Sequence, residues 1–185
     1  MEALQQEQPA DAPIEVYWRS FELRPKDAPP LPPDYLAKIE ANRPRLYAIA
    51  QENYGIDMKP GPFGFDSRPA LIGAKYAEAM GQGGPFNRRV MIAYWEEAAD
   101  IADRQVLADL AAEVNLERVA FLAALDDPIY IRQVEHDVYL AQQYGLNGVP
   151  AMVFENQYLV SGAQPLPVLR QVVDRLRLME GDGNA

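Results

Sequence analysis

The 185-residue chain has no cysteine and one histidine. Without a thiol these residues can form no disulfide, no zinc–thiolate site and no cysteine nucleophile. A single histidine excludes a histidine-built metal cluster as well. Carboxylates could still hold Mg²⁺ or Ca²⁺, but no EF-hand loop is present, and no metal or other cofactor is expected. Positive charge is scarce: 17 Lys and Arg stand against 27 Asp and Glu, for a net charge of −10. Nucleic acid is therefore not an expected partner, because phosphate binding needs clustered basic side chains. No apolar run approaches the length of a membrane-spanning helix, so no membrane partner is expected. The opening residues, MEALQQEQPADAP, are acidic and polar, unlike a secretory signal or transit peptide, and the expected location is the cytoplasm.

What is present is enough apolar sequence, 49%, to build a sizeable core. The chain is organised around Tyr144 to Gly162, YGLNGVPAMVFENQYLVSG. Gly145 reads as a helix stop, since glycine takes the left-handed cap without a Cβ penalty. Two β-prone runs, Ala151 to Phe154 and Tyr158 to Val160, flank the turn Glu155-Asn156-Gln157 and predict a hairpin. Pro150 stands where a proline is tolerated, at the start of a strand, and an X–Pro bond is a candidate for the cis form. After Gly162, Leu166, Leu169, Val172, Val173 and Leu176 recur at helical spacing.

Upstream, Met1 to Gln8 favours a short helix ended by Pro9 and Pro13. Ile14 to Phe21 alternates and predicts a strand, with Ile14, Val16 and Trp18 on one face. Lys26 to Asp34, KDAPPLPPD, could be a polyproline ligand, but no basic anchor flanks it and a stiff crossover is the favoured reading. Asp34 is the expected cap of a helix with an apolar face of Tyr35, Leu36, Ile39, Leu46, Ile49 and Ala50. Pro44 should kink or split that helix and Gly55 should stop it. Ile56 to Arg68 reads as a Pro- and Gly-rich loop, and Pro69 opens a helix over Ala70 to Met80. Gly81-Gln82-Gly83-Gly84 lacks a preceding strand and the Lys and Ser/Thr of a phosphate loop, so it is a helix connection. Three more helices follow: Phe86 to Glu97 with Val90, Met91, Tyr94 and Trp95 inward, Arg104 to Val114 capped by Asp103, and a turn and helix over Leu116 to Leu125. Pro128 opens the helix Ile129 to Tyr144. His136 on that helix could serve as an acid or base near neutral pH, but no nucleophile adjoins it, and a solvated or packing role is favoured.

Gly148-Val149-Pro150 and Ser161-Gly162-Ala163-Gln164-Pro165 resemble the DsbA family, most closely its FrnE-like branch, as does Phe21-Glu22-Leu23-Arg24-Pro25. The resemblance implies an α/β, thioredoxin-like fold with a large helical insertion. Residues 1–33 and 145–180 would form an incomplete thioredoxin-like domain, 34–144 the inserted helical domain, and 181–185 a disordered tail. The family places a strand and the start of a Cys-x-x-Cys helix ahead of the strand at Ile14. Only 13 residues precede Ile14 here, so that first strand and helix start are expected to be missing, through truncation or loss. In the family's sheet that strand lies between the one at Ile14 and the hairpin. Where the family often has Asn-Thr and then Ala-His or Ala-Arg, this chain has Asp66-Ser67-Arg68-Pro69-Ala70, and no role carries over.

By function, relatives of this kind are thiol–disulfide oxidoreductases, whose exchange chemistry requires a thiolate. Without cysteine this chain cannot run that chemistry itself, and no residue is assigned catalysis. The resemblance leaves a substrate side: Val149 would offer main-chain hydrogen bonds to a thiol or disulfide peptide or protein, and Pro150 would wall the site. Two alternatives remain. One is a cysteine-free binding or structural module, its sheet completed by a partner or by a second copy. The other is a relative of 2-hydroxychromene-2-carboxylate isomerase, which shares the architecture, uses glutathione and carries its catalytic serine in the same absent helix.

Overall fold

Helix-forming residues dominate the chain, and the described part is mostly helical. The structure, a computed structural model, describes residues 2–23, 28–59, 61 and 66–182. In chain order the elements are α1 (Glu2–Gln6), α2 (Pro33–Tyr54), α3 (Arg68–Ala79), α4 (Gly83–Glu96), α5 (Arg104–Glu113), α6 (Arg118–Ala124), α7 (Pro128–Gln143), β1 (Ala151–Phe154), β2 (Tyr158–Ser161) and α8 (Leu166–Asp182). Two compact units result: Met1–Arg19 with Gln142–Ala185, and Ser20–Ala141. The division expected after residue 33 falls after Arg19 instead. The reason is local: the Ser20 N–H donates to Asp137 Oδ2 at 2.9 Å, and Glu22 pairs with Arg68 at 2.9 Å, so the helical unit already holds residues 20 to 22.

The helical unit closes over aromatic rings. Phe86 of α4, Phe121 of α6, Leu107 of α5 and Val134 of α7 are fully buried. Tyr76 packs edge-on against Phe121 and Tyr130, with centroids 5.9 and 5.6 Å away, the arrangement the ring quadrupole favours. Gly73 lets α3 approach this cluster: a Cβ there would meet the Phe121 ring at 2.5 Å. Asp103 caps α5, as its spacing predicts, by accepting from Gln105 N–H and Val106 N–H. Glu117 caps α6 in the same way, and its hydrogen bonds from Val119 N–H and Ala120 N–H hold the carboxyl below its ordinary value. Gly81 ends the α3 turn with φ +73°.

Four expectations for this unit need correction. Helix α2 starts after Pro32, and Asp34 lies within its first turn rather than capping it. Of the kink or split expected at Pro44, the split does not occur, and α2 runs through it. Its inward stripe is Leu36, Ile39, Arg43, Tyr47 and Ala50, while Tyr35, Leu46 and Ile49 are exposed. Arg43 and Tyr47 each carry an apolar body behind a polar tip, which lets them take stripe positions that a count of apolar letters misses. On α4, Met91 and Trp95 face solvent, and Phe86 and Ala93 are the buried positions.

The unit around the hairpin has a smaller core of Leu4, Leu169 and Val173, with Ile14, Met152, Phe154, Val160 and Leu166 packed half-open against it. Among the described residues β1 and β2 form the only sheet, antiparallel, pairing Ala151 with Ser161 and Phe154 with Tyr158. Glu155 and Asn156 take positive φ at the turn, as a tight hairpin demands. The strand expected over Ile14 to Phe21 is corrected: the segment makes no ladder among the described residues. It keeps the alternation from Ile14 to Tyr17, but Trp18 is 46% exposed rather than inward. A strand needs a neighbour to bond to, and alternation alone cannot supply one. Gly181 and Asp182 continue α8 instead of starting a tail. The rest of the expected tail, 183–185, lies outside the described residues, as do parts of three other expected segments: Arg24 and Pro25 of the Phe21–Pro25 match, Lys26 and Asp27 of the proline-rich run, and Pro60 with 62–65 of the loop. No helix among the described residues is long and apolar enough to cross a membrane.

A buried ion pair ties α3 to α7: Lys75 Nζ lies 2.6 Å from Asp137 Oδ2, with the two residues 5% and 2% exposed. Breaking such a pair strands buried charge, whereas replacing both partners leaves only the neutral Ser20 N–H without its acceptor. Asp137→Ala should lower unfolding free energy by about 3–5 kcal/mol, and Lys75→Met with Asp137→Leu by clearly less than that. Gly73→Ala should cost about 1–3 kcal/mol through overpacking on Phe121. Urea denaturation of each variant measures both.

Candidate substrate-contact site

The site begins where α7 ends. Gly145, at φ +65°, donates its N–H to the Gln142 carbonyl at 3.0 Å and releases the chain from the helix. The Tyr144 hydroxyl donates across to the Asn156 carbonyl at 3.5 Å, linking the helix end to the hairpin turn. Leu146 to Val149 then forms a short loop, and the Val149–Pro150 peptide is cis. Val149 is 52% exposed, and Pro150 is exposed beside it. The Pro150 carbonyl accepts from the Gly162 N–H at 2.8 Å, which starts the pairing between the two strands. Among the described residues neither the N–H nor the C=O of Val149 makes a hydrogen bond. The two residues singled out by sequence thus stand together, exposed, at the mouth of the hairpin.

Chemically this arrangement can hold an extended main chain and press it against a proline ring. It offers no nucleophile. Ser67 makes no cap bond, and Asp66 Oδ1 accepts from the Arg68 N–H instead. Arg68 is occupied by Glu22 and Glu135, each at 2.9 Å. His136 is exposed on α7. No group of three or more metal-ligating side chains occurs among the described residues. Sequence reasoning missed the Lys75–Asp137 pair. Its one signal was that Asp137 falls on the stripe of Val134 and Ala141, the inward face of α7.

Behind the hairpin the scaffold is tied by charge. Arg170 of α8 makes a forked bond to Glu7, at 2.7 and 2.5 Å, and Arg177 donates to the Ala12 carbonyl at 2.6 Å. The bonds from Arg170 hold the Glu7 carboxyl below its ordinary value, against a smaller opposing effect of desolvation. Gln5 Nε2 donates to the Ile14 carbonyl at 3.1 Å and fixes the extended run against α1.

Comparison with known proteins gives a consistent result. The DSBA-like thioredoxin domain profile matches residues 1–174. The uncharacterized protein YwbO of Bacillus subtilis is 30% identical over 123 residues, which span 63% of this chain and 60% of that protein's length. Among solved structures, a probable DsbA oxidoreductase from Streptomyces coelicolor is 27% identical with a TM-score of 0.76, covering 94% of this chain and 80% of that one. A 2-hydroxychromene-2-carboxylate isomerase is 24% identical with a TM-score of 0.69, covering 84% and 75%, a likeness of fold alone.

The Glu7–Arg170 pair sets a pH dependence. A carboxyl whose folded pKa is depressed adds stability that is complete above its unfolded value, near 4.3, and lost as pH falls through the folded value. Glu7→Gln should therefore flatten the loss of melting temperature between about pH 6 and pH 3, which calorimetry at stepped pH reads directly.

Proposed function

We propose a function from one premise: this chain belongs to the DSBA-like thioredoxin domain family. Its part in that family's chemistry is to hold the substrate. The Val149 main chain and the Pro150 ring receive an extended peptide that carries a thiol or disulfide. The exposed Val149, with no main-chain partner among the described residues, carries this reading. Likeness to a DsbA oxidoreductase supports it. Exchange itself needs a thiolate attacking a disulfide through a mixed intermediate, and these 185 residues hold no sulfur able to attack.

Two measurements test the proposal. In amide NMR, an extended cysteine-containing peptide should shift Val149 and Ala151 first, and its serine analogue less. In a disulfide-reduction assay the 185-residue chain should show no turnover. Shifts confined to the helical unit, or turnover without added thiol protein, would overturn it. Tighter binding of glutathione than of the peptide would move the assignment to the isomerase class.

A further inference from the structure

Helix α2 carries two stripes, and the helical unit uses one of them. Leu36, Ile39, Arg43, Tyr47 and Ala50 turn inward, and among these described residues only Ala50 is buried. The outward side presents Tyr35, Asn42, Leu46, Ile49 and Asn53. With Ile39, which borders both stripes, these residues are spaced four and three apart in strict alternation. That is the repeat by which two helices pack knobs into holes along a seam. The outer side of a surface helix is ordinarily charged and polar. Here Leu46 is 47% and Ile49 41% exposed at the middle of the stripe.

Exposure alone would not say what fits this stripe, but its charges and amides do. Arg45 and Glu52 flank it on one side, at equivalent positions of successive heptads. Helices pair charges three or four residues apart, so these two, seven apart, do not serve each other. Among the described residues neither has another ion-pair partner. Consider a second α2 laid antiparallel, with its Ile49 opposite Leu46. Two-fold symmetry then repeats that layer and sets Asn42 opposite Asn53 at each end. The same register brings Arg45 within about 3 Å, along the axis, of the second copy's Glu52, and does so twice. Asn42 Nδ2 donates to the Lys38 carbonyl at 2.8 Å, which leaves its Oδ1 to accept from Asn53 of the second copy. Asparagine layers of this kind fix register and orientation. A foreign helix would have to match this pattern with its own sequence, whereas a second copy carries the match by symmetry. The chain's net charge of −10 opposes association, and α2 is where that opposition is least: Asp34, Glu40 and Glu52 balance Lys38, Arg43 and Arg45.

We propose that α2 is a self-association surface. Two copies of this chain pair through antiparallel α2 helices along Asn42, Leu46, Ile49 and Asn53, and Arg45 of each copy pairs with Glu52 of the other. The seam is short, so the dimer is weak and depends on concentration. Neither Val149 nor Pro150 takes part, and this inference stands or falls apart from the substrate reading.

Sedimentation equilibrium of the full chain should show monomer giving way to dimer as its concentration rises toward about 1 mM, the weak end of specific association. Arg45→Glu sets acid against acid at both crossings and should weaken the dimer about tenfold, and Glu52→Arg by as much. Both residues are exposed, so the melting temperature of each dilute variant should stay where it is. An equal mixture of the two variants should recover the original association, because each supplies the charge the other lacks. A chain that stays monomeric throughout, a dimer indifferent to both substitutions, or a mixture that associates no better than its parts would overturn the proposal.

Discussion

Backbone hydrogen bonding is the constraint on which the hairpin unit depends. Every buried N–H and C=O must find a partner or forfeit about 1–3 kcal/mol. The Gly162 to Pro150 bond sets the parity of a ladder only four residues long on each strand. That parity points the main chains of Met152 and Phe154 toward β2, and the pleat drives their side chains into the core with Leu169 and Val173. Pro150 sits where its missing N–H would have faced Gly162, so the ladder ends there without a wasted donor. One residue further back, Val149 lies outside the ladder and is exposed.

The helical unit meets the same requirement differently. Helices bond their own backbones, so its closure is a matter of side chains, and Phe86, Phe121 and Leu107 are sealed completely. The extended residues Ser20 to Glu22 join it through charge, with the Asp137 carboxylate accepting from both Lys75 and the Ser20 N–H. A buried ion pair of this kind adds little net stability over an apolar pair of the same shape, because two charges must leave water. What it does here is position: the carboxylate is met by a donor at Ser20 and a cation at Lys75 together. Arg68, bridging Glu22 and Glu135, repeats the pattern nearer the surface.

These two modes explain what could be read from the chain. Caps and stops are local, so Asp103, Gly145, Gly55 and the start of α7 at Pro128 are visible in a few residues of sequence. The hairpin is equally local, its strands separated by three turn residues. The cis Val149–Pro150 turn was legible for the same reason: Gly148-Val149-Pro150 lies next to the strand it introduces. The face of α2 was not, because Arg43 and Tyr47 occupy stripe positions that look polar by letter. The state of Ile14 to Tyr17 was not either, since pairing depends on residues far along the chain. The partnership of Lys75 with Asp137 spans α3 to α7, and no short window contains both.

Recognition and reaction are separable in such a site. Thiol–disulfide exchange happens at sulfur, whereas the part proposed for Val149 and Pro150 is to orient an incoming chain by backbone groups and a proline ring. Holding a substrate in line is itself a large part of a rate enhancement, because it removes translational and rotational freedom before the chemical step. That contribution needs no titratable side chain. It needs a rigid edge, which the Tyr144 to Asn156 link and the Gly162 to Pro150 bond provide from either side of the Val149 loop. The physical content proposed for the site is therefore geometric rather than electrostatic, and main-chain groups beside one proline ring would carry it.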